Sequence, residues 1–159
     1  PKFGAPTPAL KAAFLSKWST PGARAQGDLR NTEVLSSNGY TRADSLALLM
    51  GALARDGQLG AGRILSPGMT AKMSAERIRG QDLVLPFEVS WGAGVMRNAP
   101  NFFYGPNPDA FGHSGWGGSC AVADPSRGLA CAYVMNRQSA HLMGDPRARR
   151  LIDAVYASL

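Results

Sequence analysis

Residues Asp109 to Arg137, DAFGHSGWGGSCAVADPSRGLACAYVMNR, decide the fold of this chain. Apolar runs separated by turn residues predict strands over roughly Ala110 to Ser114, Ser119 to Asp124 and Leu129 to Asn136. Between the last two, Asp124-Pro125-Ser126-Arg127-Gly128 places proline early and glycine last, as a short hairpin requires. Gly112, Gly115, Gly117 and Gly118 leave little side-chain bulk around His113, Ser114 and Trp116. A second backbone or a ligand can therefore come close to this strand.

Upstream, Trp91 to Met96 (WGAGVM) reads as a further strand, relieved of side chains at Gly92 and Gly94 where something packs against it. Leu83 to Val89 alternates imperfectly around Pro86 and suits an edge strand or a loop. Before that come helices. Thr41-Arg42-Ala43-Asp44 has capping-box order with Asp in the acidic position, and Leu46, Leu49, Met50 and Leu53 form an apolar stripe that Gly57 ends. Ser66-Pro67 opens a shorter helix carrying Met69 and Met73.

At the start of the chain, Thr7-Pro8 caps a short helix with Leu10, Phe14 and Trp18 along one face, stopping before Pro21-Gly22. Gly22 to Gly39 reads as loop, with at most a helical turn near Leu29 to Val34. At the other end Asp145-Pro146 caps a helix whose apolar face is Leu151, Ile152, Val155, Tyr156 and Leu159. Arginines in its first turn oppose the helix dipole unless they meet carboxylates. Helices, a meander of strands and a terminal helix argue an α+β fold with an antiparallel sheet.

The totals fit one domain: 159 residues, 45% hydrophobic, are enough to bury a core. The net charge of +6 comes from arginines spread singly, with one dense run at Arg147, Arg149 and Arg150. That is a solvated surface, and no nucleic-acid motif accompanies it. Neither a leader peptide nor a run long enough to span a membrane is present, so a cytoplasmic location is expected. Cys120 and Cys131 lack metal-site spacing and form no zinc set with His113 and His141. Both cysteines fall in apolar runs, as buried small hydrophobes or, in one register, as a cross-strand disulfide. No metal or cofactor is expected.

Four blocks in consistent order carry a resemblance. SNGYTRADSLALLMGALARDGQLGAGRILSP (Ser37 to Pro67), FEVSWGAGVM, FGHSGWGGSCAVADPSRGLACAYVMN and DPRARRLIDAVYASL resemble the C-terminal part of class C β-lactamase-like serine hydrolases, with family VIII carboxylesterases most similar. The resemblance implies an antiparallel sheet flanked by helices, of the β-lactamase and DD-peptidase type. The whole of 1–159 then reads as the C-terminal portion of one such domain. It comprises a loop-rich lead-in with a short helix over 1–40, a helical segment over 41–80, and sheet strands plus the last helix over 91–159.

In that family a strand bears a Lys-Thr-Gly-type triad. His113-Ser114-Gly115 resembles a histidine version of it, and Trp116-Gly117-Gly118 resembles the tryptophan-containing form. The resemblance implies that the backbone N–H of Trp116 is one of two oxyanion donors, since acyl transfer builds negative charge on the carbonyl oxygen. His113 replaces lysine and orients a catalytic tyrosine or a substrate oxygen, or else it is a hydrogen-bonded strand histidine. Ser114, Gly115 and Gly117 are candidate substrate contacts. Trp91 with Phe102, Phe103 and Tyr104 either wall an acyl pocket or pack as core.

The rest of the family's machinery is absent from these residues. No serine stands three positions before Lys2, Lys11, Lys17 or Lys72, and no tyrosine stands two before an asparagine. Covalent catalysis of the family type then has neither nucleophile nor base in this chain, which is expected to be inactive alone. The expected partner is a preceding segment or a second chain carrying Ser-x-x-Lys and the tyrosine. The substrate is a small ester or amide, with no nucleic acid and no membrane involved. Carboxylesterase is the leading reading, followed by a β-lactamase or D-amino-acid peptidase, and by a binding module without catalysis.

Overall fold

A computed structural model describes residues 7–15, 31, 33 and 39–159. The chain divides into two compact units, Pro1–Thr41 with Gln81–Glu88, and Arg42–Gly80 with Val89–Leu159. In the first unit α1 (Pro8–Leu10) runs into a π-helical turn, Lys11–Leu15, and Thr7 caps it by accepting from the Leu10 N–H. The expected continuation to Trp18 and most of the loop over 22–39 lie outside the described residues.

The second unit is built on α2 (Ala43–Ala54), the hairpin β1 (Gln58–Leu59) and β2 (Gly62–Arg63), and the short α3 (Met69–Ser74). These precede β3 (Ile78–Gln81), β4 (Glu88–Trp91), β5 (Met96–Arg97), β6 (Phe111–Ser114), β7 (Cys120–Asp124) and β8 (Leu129–Tyr133). A final helix, α4, covers Pro146–Ala157. Strands β3 to β8 form one sheet in chain order, and every pair from β4 to β8 is antiparallel. The fold is the expected antiparallel sheet flanked by helices.

Helix α2 covers one face of the sheet. Met50 and Ala54 join Phe111, Ala121 and Ala123 in the core, with Leu46, Leu53 and Ala130 packed against them. Leu49, expected in the stripe, is exposed, because the buried face follows 46, 50, 53 and 54. Arg42 rather than Thr41 is the N-cap residue, and its side chain makes no capping bond. The stop at Gly57 is as read: its N–H donates to Ala52 O at 2.7 Å with φ +84°.

On the opposite face α4 buries Ala148 and Ile152, and Tyr156 bonds Asp124, whose neighbour Ala123 faces α2. Leu151 and Leu159 of the expected apolar face are exposed. Asp145 caps α4 by accepting from the Arg147 N–H.

Two segments differ from the sequence reading. WGAGVM is a hairpin rather than a strand: Trp91 pairs with Met96, Gly92 N–H donates to Val95 O at 2.9 Å, and Gly94 has φ +78°. Something does pack at Gly92, where a Cβ would strike the Met73 carbonyl. The segment expected to be helical holds β1, β2 and β3, and α3 starts at Met69 after a left-handed Gly68 instead of at Ser66-Pro67. Residues 83–87 are loop, one of the two forms expected of Leu83 to Val89, and the strand begins at Glu88. The cysteines are both free. Cys120 faces Tyr133 and Cys131 faces Val122, so the two sit diagonally, about 7 Å or more apart and beyond disulfide reach.

Candidate functional site

Pairing of β5 with β6 ends at Gly112, so His113 and Ser114 run past the end of β5 into the turn before β7. The turn is tightly made. Gly115 N–H donates to Ser119 O at 2.8 Å, and Gly118 N–H donates to Gly115 O at 3.2 Å. Gly117, with φ +97°, occupies the third position, where a type II turn needs a left-handed residue.

The Gly115 carbonyl and the Trp116 N–H share one trans peptide plane and point in opposite directions. Because the carbonyl is turned inward to Gly118, the Trp116 N–H is directed out of the turn. Trp116 is 47% exposed.

His113 is exposed, with its Nδ1 3.0 Å from Ser114 O and its ring 5.6 Å from that of half-buried Trp91. Ser114 points elsewhere. Its hydroxyl lies 3.4 Å from that of fully buried Tyr104, beside the Cys120 thiol. Strand alternation puts it on the face opposite His113, which removes the side chain from the contacts expected of it. Burial raises the Tyr104 hydroxyl far above the phenol range. The Cys120 thiol is pushed up to about 12 by burial, partly opposed by Ser114. These interior groups stay neutral at ordinary pH.

Two glycines are fixed by close approach. At Gly115 a Cβ would strike the Ser119 hydroxyl, and at Gly117 it would lie 2.9 Å from Gln138 Cγ. Gly117 is also held through its backbone: its N–H donates to His141 O at 3.1 Å and its carbonyl accepts from Ser139 N–H at 2.9 Å. Arg147 Nη2 donates to the same carbonyl at 3.0 Å.

The aromatic wall divides. Tyr104 is interior, Phe103 packs against Gly144 and meets Tyr104 edge-on at 6.5 Å, and Phe102 is exposed. Only Trp91 remains beside His113. Among the described residues no group of three His, Cys, Asp or Glu is placed to hold a metal ion, and no helix is long and apolar enough to cross a membrane.

Sequence reasoning missed the attachment of Arg147 to Gly117. The only signal was the unfavourable arginine in the first turn of α4, which needs a carboxylate and finds Asp145.

The sequence pattern of the beta-lactamase family matches residues 4–156. Esterase/beta-lactamase LipL of Mycobacterium tuberculosis (strain ATCC 25618 / H37Rv) is 33% identical over 124 residues, which are 74% of this chain and 28% of that protein. Among solved structures, a novel penicillin-binding protein homolog from Caulobacter crescentus superposes with a TM-score of 0.93 at 56% identity, over all of this chain and 42% of that one. A family VIII carboxylesterase gives 0.83 at 38% identity, over 95% of this chain and 41% of its own. The chain thus spans less than half the length of each of these proteins.

Proposed function

Because this chain belongs to the beta-lactamase family, we propose that it supplies the oxyanion side of a serine-hydrolase site that cleaves short-chain carboxylic esters. The observation that carries the reading is the Gly115–Gly118 turn, which aims the Trp116 N–H outward three residues after the exposed His113. A preset N–H stabilises a developing oxyanion without reorganising at the moment of reaction.

In this reading a serine attacks the ester carbonyl. The new Oγ–C bond forms, the carbonyl oxygen becomes an oxyanion facing the Trp116 N–H, and the C–O bond to the alcohol then breaks. The serine proton passes to the departing alkoxide through the family's lysine and tyrosine. Water cleaves the acyl-serine in the second half. His113 holds the tyrosine or a substrate oxygen, while Gly115 and Gly117, packed against Ser119 and Gln138, shape the turn rather than meet the substrate. The serine, lysine and tyrosine come from sequence other than these 159 residues, as the lack of Ser-x-x-Lys requires. The likeness to a penicillin-binding protein homolog favours a second reading, in which the same site opens β-lactams or cleaves D-amino-acid peptides.

The test is a serine-directed fluorophosphonate applied to the protein carrying both this chain and the Ser-x-x-Lys segment, followed by p-nitrophenyl butyrate and a chromogenic cephalosporin. Labelling confined to that segment, with ester turnover that falls in His113→Ala, supports the esterase. Faster cephalosporin turnover selects the second reading, and the absence of any label leaves a binding module.

A further inference from the structure

We propose that Arg147, locked onto Asp145, is the positioning residue that fixes the Gly115–Gly118 turn and thereby the direction of the Trp116 N–H. This rests on the oxyanion role given to that N–H above.

The geometry is a fork with all three nitrogens engaged. Arg147 Nε and Nη2 donate to the two carboxylate oxygens of Asp145 at 3.0 and 2.8 Å. The remaining reach of the guanidinium goes to two backbone carbonyls, Gly117 at 3.0 Å and Arg137 at 2.9 Å. One planar group therefore ties the turn to the segment after β8. Asp145 is itself immobilised: its side chain is 2% exposed, it caps α4, and it accepts from Ser139 Oγ at 2.6 Å. The base of the clamp is a helix anchored in the core by Ala148 and Ile152.

The turn needs such a hold. Gly117 and Gly118 both have positive φ, +97° and +123°, and glycine moves more freely through backbone space than any other residue. The Gly118 N–H bond to Gly115 O sets the plane that carries the Trp116 N–H, and it survives only while Gly117 and Gly118 keep their places. There is no slack at Gly118, where a Cβ would lie 2.7 Å from Arg147 Nη2. An ammonium has no planar fork, so lysine at 147 keeps the charge and loses the simultaneous bonds.

The experiment compares Arg147→Ala, Arg147→Lys and the exposed-site control Arg150→Ala by residue-resolved amide exchange on this chain. Ester kinetics follow in the protein that also carries the nucleophile segment. In Arg147→Ala, exchange at Gly117 and Gly118, whose N–H groups donate to His141 O and Gly115 O, is expected to rise at least about tenfold while the β7 amides keep their protection. With the donor misplaced, kcat is expected to fall about 100-fold with KM nearly unchanged. Arg147→Lys is expected to recover little of either, and Arg150→Ala to match the parent.

Unchanged turn amides overturn the proposal, as does loss of protection spread evenly through β7 and α4. A rise in KM alone, or full rescue by lysine, does the same. If Arg147→Ala does not fold, Asp145→Asn keeps a helix cap while weakening the clamp and is read by the same criteria. A parent without ester turnover refutes the proposed function, and the exchange measurements still decide whether Arg147 holds the turn.

Discussion

The hydroxyl of Tyr156 donates to Oδ2 of Asp124 at 2.6 Å, joining the terminal helix to the end of β7 across 32 residues of chain. Burial alone would raise the Asp124 carboxyl, but the bonds from Tyr156, Ser126 and Asn107 outweigh it and hold the group below the usual carboxylate range. Tyr156→Phe keeps the ring against Gly105 and deletes the donor. It is expected to cost about 1–2 kcal/mol of stability in urea denaturation, because a buried carboxylate oxygen loses its partner. An unchanged midpoint would mean that water replaces the phenol.

Asn98 does similar work for the loop before β6. Fully buried, it donates through Nδ2 to Gly105 O and Asn107 O, both at 2.7 Å, and accepts at Oδ1 from the Tyr104 N–H at 2.8 Å. Asn98→Ala strands the Gly105 carbonyl and the Tyr104 N–H, while Asn107 O keeps the Ala110 N–H, and is expected to cost about 2–3 kcal/mol. Asn98→Asp loses the donors and is expected to be no better. Thermal melts of the two variants against the parent check this.

Acid should weaken the Asp145 clamp in a definite window. Hydrogen bonding from Arg147, opposed by burial and aided by Ser139, holds the Asp145 carboxyl well below its ordinary 3.8. The unfolded chain therefore takes up the proton first as pH falls. Stability from this group is complete above that value and drains away below it, toward the folded pKa. Denaturation curves from about pH 6 to pH 2 should show a flatter acid limb in Asp145→Asn, with the gap to the parent closing at the acid end. The limb keeps some slope, since Asp124 titrates in the same sense. Parallel curves would count against the linkage.

Cys120 should be chemically silent while the chain is folded. With its thiol pushed up to about 12, only about one molecule in ten thousand carries the thiolate at pH 8. Labelling by a disulfide reagent should then follow the rate of unfolding. The same shift, upward from 9.0, means that its contribution to stability is whole below pH 9 and is lost as pH rises toward about 12. Fast labelling of Cys120 in native buffer would show that the β7 interior is open.

Local chemistry made part of this legible from the chain alone. The β7–β8 hairpin follows from Pro125 to Gly128, and its register pairs Asp124 with Leu129. The Asp145-Pro146 cap and the stop at Gly57 are equally local, each completed within a few residues. WGAGVM was misleading because glycines that relieve a strand also permit a reversal, and the choice rests with the Trp91–Met96 pairing. Periodicity alone placed Leu49 inside and Leu151 in an apolar face, although both are exposed.

The sequence by itself determined the α+β class, the family and the candidate strand from His113 to Gly118, since these depend on residue types at short and fixed spacings. The tertiary structure alone decided what each candidate does with its position. It turned Ser114 inward to Tyr104, left His113 exposed beside Trp91, and brought Arg147 to the Gly117 carbonyl from 30 residues away. Such contacts are set by how helix and sheet pack, and no spacing along a chain records where two distant segments close on each other.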